Sequence, residues 1–92
     1  MFALYSITYE GSLSRVASVP DRHRARMEAL QWDPIEFPHW AMIATSPEST
    51  GRYVAIIGRS DGSAETITTE FAEPGDLETL RECIAQLKEL PT

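Results

Sequence analysis

A chain of 92 residues with 42 % hydrophobic and 24 % charged side chains has the composition of one small globular domain, away from the disordered regime. Its formal net charge of −6 argues against non-specific nucleic-acid binding, which depends on counterion release by Lys and Arg, and its lone lysine excludes a polybasic membrane patch. The single cysteine, Cys83, excludes an internal disulfide and a thiolate zinc cluster, and suits a reducing cytoplasm.

From Phe2 to Tyr9 the chain is rich in aromatic and β-branched residues and predicts a strand. Met1 to Tyr9 lacks the basic n-region of a secretory signal, and no apolar run approaches the ~20 residues that span a bilayer, so a soluble, cytoplasmic protein is expected. Glu10 to Ser18, with Gly11 and its serines, reads as a loop. Ser18-Val19-Pro20-Asp21 is a helix start, combining a capping side chain, a proline tolerated in the first turn and an acid at the positive end of the dipole. That helix is expected to run to Gln31 or Trp32, with His23, Met27 and Leu30, joined by Ala29, turned inward. Asp33-Pro34 ends it.

His39 to Thr45 predicts a second strand, and Ser46 to Gly51 is turn chemistry. Arg52 to Arg59 is apolar on both faces, as a central strand should be. Asp61-Gly62 supplies a tight turn into the alternating strand Ala64 to Phe71. A two-residue loop there would pair Ile56 with Ile67 and Val54 with Thr69; a bulged three-residue turn would slip the register by one. Asp76 opens a last helix to about Leu90, closed by Pro91, whose Leu77, Leu80, Ile84 and Leu87 share one face. The expectation is a single α+β domain over residues 1–92, in β–α–β–β–β–α order. Its mostly antiparallel sheet should carry both helices on one face, leaving Tyr5, Tyr53 and Ala55 on the open side.

Charge is unevenly spread along this order. Up to Arg59 acids and arginines balance; beyond it stand Asp61, Glu65, Glu70, Glu73, Asp76, Glu78, Glu82 and Glu89 against only Arg81 and Lys88. Asp76, Glu78, Glu82 and Glu89 therefore form an acidic C-terminal pole able to meet a protein with a basic surface. A second candidate surface is Trp32 to Trp40, where Trp32, Phe37, His39 and Trp40 concentrate in nine residues; such side chains either fill a thin core or anchor a partner. Arg22, His23 and Arg26 are candidates for anion binding, since Arg22 and Arg26 share a helix face and Arg24 points nearly opposite.

Neither histidine belongs to an HExxH pattern or a His/Cys cluster, so no metal or other cofactor is expected. Gly58 to Gly62 lacks the order of a phosphate loop, no GxSxG elbow occurs, and no set of catalytic residues is identified. Cys83, beside Glu82, has nothing in its flanks to lower its pKa. The chain thus reads best as a small acidic non-enzymatic interaction module of the inhibitor, immunity-type, regulatory or adaptor kind. The open sheet face would allow a two-fold homodimer. The alternatives are a small-ligand sensor or carrier with a pocket of Tyr5, Trp40, Met42 and Tyr53, and a small enzyme completing its site at an oligomer interface through His23, His39 or an arginine.

Overall fold

The computed structural model describes residues 1–63, 65–73 and 75–89, the last two without their side chains. The described residues form β1 (Phe2–Ile7), β2 (Leu13–Val19), α1 (Arg22–Ala29), β3 (His39–Ala44), β4 (Tyr53–Arg59), β5 (Thr66–Phe71) and α2 (Leu77–Glu89). The five strands make one sheet in the order β2-β1-β3-β4-β5, antiparallel throughout. The α+β class is as the sequence implies. The order gains one element, because the expected loop Glu10 to Ser18 contains β2. Its serines suit an edge strand, where a polar and irregular surface discourages further pairing. Val16 is the irregularity: Leu4 pairs with Ala17 and Tyr5 with Arg15, so Val16 bulges out and lies exposed. Gly11, at φ +91°, makes the turn into this strand.

The helices do not share a face. Ile7, Ala41, Ile43, Ala55, Ile57 and Phe71 point to one side of the sheet and pack with Leu80, Cys83 and Leu87 of α2. Leu4, Trp40, Met42 and Ile56 point to the other and pack with Ala25 and Ala29 of α1. Strand β4 is apolar on both faces because each face is a core: Ile57 serves one and Ile56 the other. α2 touches β4 and β5, whereas α1 touches β2 and β3, so the helices occupy diagonally opposed quadrants. The face carrying Tyr5, Tyr53 and Ala55 is therefore the α2 face, and Ala55 is fully buried there.

The inward stripe of α1 is also different from the expected one. Ala25 and Ala29 are buried and Trp32, one turn further on, is half-buried, while His23, Met27 and Leu30 are exposed. The sheet on that side already carries Trp40, Met42 and Leu4, so only small helix residues fit above them. In the β4–β5 hairpin Ile56 lies opposite Thr68, Ile57 opposite Ile67 and Val54 opposite Glu70, which is the one-residue slip. Gly62, at φ +92°, provides the left-handed residue of the longer turn. Gly58 is needed for a different reason. A Cβ there would come within 2.5 Å of Trp40 Cζ2, and the buried indole is held by a bond from its Nε1 to the Arg59 carbonyl at 3.1 Å.

Candidate functional site

α1 begins where Asp21, extended at φ −155°, accepts the Arg24 backbone N–H at 2.9 Å on its side chain. The first turn that follows holds no acid and two cations, Arg22 and Arg24, with His23 between them. Helical geometry sends Arg22 and Arg26 to the same side, over the β4–β5 hairpin. Arg22 Nη2 reaches Thr66 Oγ1 at 3.4 Å and Arg26 Nη2 donates to the Gly62 carbonyl at 2.7 Å. Arg22, His23, Arg26 and Thr66 line a cleft of about 160 Å³ whose inner wall is the edge of Trp40. Arg22 and Arg26 share a side as their helical spacing implies, whereas His23, expected inward, is exposed beside them; Thr66 and Trp40 join them only through tertiary structure.

The Trp32–Trp40 segment divides. Trp40 is 2 % and His39 6 % exposed, so both belong to the core and neither is offered to a partner. Trp32 and Phe37 are half-buried and meet edge-to-face, with ring centroids 6.2 Å apart. The exposed large apolar side chains of the same stretch are Met27 on α1, Leu30 at its C-cap and Ile35 in the following loop, the last 85 % exposed. Met27 and Leu30, expected inward, are thus exposed; the Ala25–Ala29–Trp32 spacing of four and three marks the face that is buried instead.

The acidic pole divides too. Glu78 and Glu82 are exposed on α2, with no ion pair or hydrogen bond from their side chains among the described residues. Asp76 is committed to the helix start. Its Oδ1 accepts the Thr79 N–H at 3.1 Å and its Oδ2 the Thr79 hydroxyl at 2.9 Å; these bonds hold its carboxyl below the usual carboxylate range. The side chain of Glu89, with Leu90 and Pro91, lies outside the described residues. Cys83 is buried against the sheet, and burial pushes its thiol up, away from nucleophile chemistry.

One buried polar cluster went unread in the sequence. Arg59, 8 % exposed, donates from Nη1 to Glu65 Oε2 at 2.8 Å and from Nη2 to the Leu87 carbonyl in the last turn of α2. Glu65 also accepts from Ser63 Oγ at 3.3 Å. This arrangement ties the hairpin to the helix end. Among the described residues no group of three or more His, Cys, Asp or Glu side chains is placed to hold a metal ion. Nor do Tyr5, Trp40, Met42 and Tyr53 make one pocket. Trp40 and Met42 face α1, whereas Tyr5 and Tyr53 lie on the opposite side, in a separate cleft with Arg15 and Thr45. No helix of the described chain is long and apolar enough to cross a membrane. Comparison with protein-family models, with curated proteins and with solved structures finds no match.

Proposed function

We propose that this chain is a non-enzymatic protein-interaction module of the inhibitor or regulatory kind, and that its contact surface is the outer side of α1 with the loop to β3. The observation that carries this reading is the exposure of Met27, Leu30 and Ile35 within the stretch of chain that also holds the half-buried Trp32–Phe37 pair. A helix whose core contacts are two alanines, and whose large apolar side chains face outward, suits a surface that a partner covers. Glu28, Asp33 and Glu36 in the same stretch supply a polar rim. The exposed carboxylates Glu78 and Glu82 lie on the opposite side of the sheet. In this reading they act through the long-range field that steers a basic partner rather than through contact.

The two contributions separate kinetically. In a pull-down from the native host, followed by binding kinetics on the captured protein, Met27→Ser with Ile35→Ser should raise the dissociation rate at least about tenfold. Glu78→Lys with Glu82→Lys should instead slow association, and lose that effect at high salt. A partner indifferent to both double variants sinks the reading. Sedimentation equilibrium shows whether the captured partner is a second copy of this chain.

A further inference from the structure

The geometry points to a second site, independent of the interaction reading: a pocket for a small tetrahedral oxyanion, a phosphate group, in the cleft of Arg22, His23, Arg26 and Thr66. In a protein of net charge −6, the arginines of this cleft would be expected to find carboxylate partners. Yet among the described residues the ion pairs are Arg52–Glu70 and Arg59–Glu65, and none involves Arg22, His23, Arg24 or Arg26. The two guanidiniums instead spend one donor each on neutral oxygens of the facing hairpin. Each carries five N–H donors in a planar fork, so most of that capacity remains for an anion lying between them.

Two further features favour an anion there. Thr66 offers a hydroxyl from the opposite wall, so donors converge from two elements. The inner wall is a buried indole whose N–H is already used by the Arg59 carbonyl, which gives the cleft one low-dielectric side and strengthens charge-assisted bonds at its mouth. At about 160 Å³ the cleft is smaller than the ~300–1,000 Å³ of drug-sized ligand sites, so it takes a single oxyanion group with the remainder of any ligand outside.

The test is a titration of the whole chain with inorganic phosphate and, in a parallel arm, phenyl phosphate. Chloride replaces phosphate to hold ionic strength constant, and amide shifts are followed by two-dimensional NMR. Saturable shifts centred on residues 22–26 and 66 are expected, with a dissociation constant in the range of ~1 mM. Arg22→Gln, whose bond to Thr66 is long and contributes little to the fold, should weaken binding at least about fivefold, and Arg22→Gln with Arg26→Gln at least about twentyfold. Arg15→Gln, on β2, should leave it unchanged. Tighter binding of phenyl phosphate identifies a phosphorylated small molecule as the ligand; equal or weaker binding identifies the free ion. Shifts that stay linear to about 100 mM, or that saturate equally in Arg22→Gln and Arg15→Gln, overturn the site.

Discussion

Arg59→Ala should remove about 2–3 kcal/mol of stability, below the ~3–5 kcal/mol of a fully buried charge pair because the Glu65 side chain is 32 % exposed and can be rehydrated. Two groups lose their donor together. The Glu65 carboxylate, bonded at 2.8 Å, keeps its Ser63 contact, and the Leu87 carbonyl sits in the last turn of α2, where helical carbonyls lack an internal partner. The guanidinium also places positive charge at the negative end of that helix. Since small domains are stable by only ~5–15 kcal/mol, denaturant melts should show a large drop in midpoint, with near-UV signals lost along with far-UV ones. Arg59→Lys should recover only part, because one ammonium cannot fork to two acceptors. A loss below about 1 kcal/mol in Arg59→Ala would show that the cluster is incidental to the fold.

Ile56→Ala and Thr68→Ala give the second large contrast, because these residues are direct cross-strand neighbours on one face of the β4–β5 ladder. Ile56 is 6 % exposed and packs into the cluster around Trp40 and Met42, so its truncation should cost about 2–5 kcal/mol. Thr68, one strand further out and beyond the reach of α1, is exposed and should cost under about 1 kcal/mol. Equal losses in urea melts would mean that the outer quadrant of that face is covered.

What could be read in advance follows from how strongly each segment is over-determined. Arg52 to Arg59 was legible because burial on both faces leaves a continuous apolar run, and the last helix because Leu80, Ile84 and Leu87 repeat at helical spacing. β2 was hidden because an edge strand buries little: its bulge at Val16 breaks the alternation, and Gly11 with several serines imitates a loop. The hairpin slip depended on one extra residue beside Gly62, which local sequence leaves open. The sides taken by the two helices depended on which face of β3 each would find, since both Trp40–Met42 and Ala41–Ile43 are buried. At the candidate sites, Arg22 and Arg26 could be placed together by helix geometry alone, whereas Thr66 lies 44 residues beyond Arg22 and needed the fold. The burial of Arg59 comes with the end of α2, whose Leu87 carbonyl it bonds, and that contact is likewise remote in sequence.

The alanine stripe beneath α1 has a consequence for how the molecule breathes. α2 is anchored by Leu80, Cys83 and Leu87, but the body of α1 buries only Ala25 and Ala29, worth about 1 kcal/mol each at ~0.8 kcal/mol per methyl-sized group. The rest of its attachment is the two arginine bonds to the hairpin and the Trp32 contact after its last turn. An eight-residue helix held so lightly can lift away while the sheet stays paired. Amide hydrogens of residues 25–30 should therefore exchange through a low-energy opening, orders of magnitude faster than those of β3 and β4, which wait for global unfolding. An anion bridging Arg22 and Arg26 to the hairpin, or a partner seated on Met27 and Ile35, would slow exchange in that helix first and leave the rates of the central strands almost where they were.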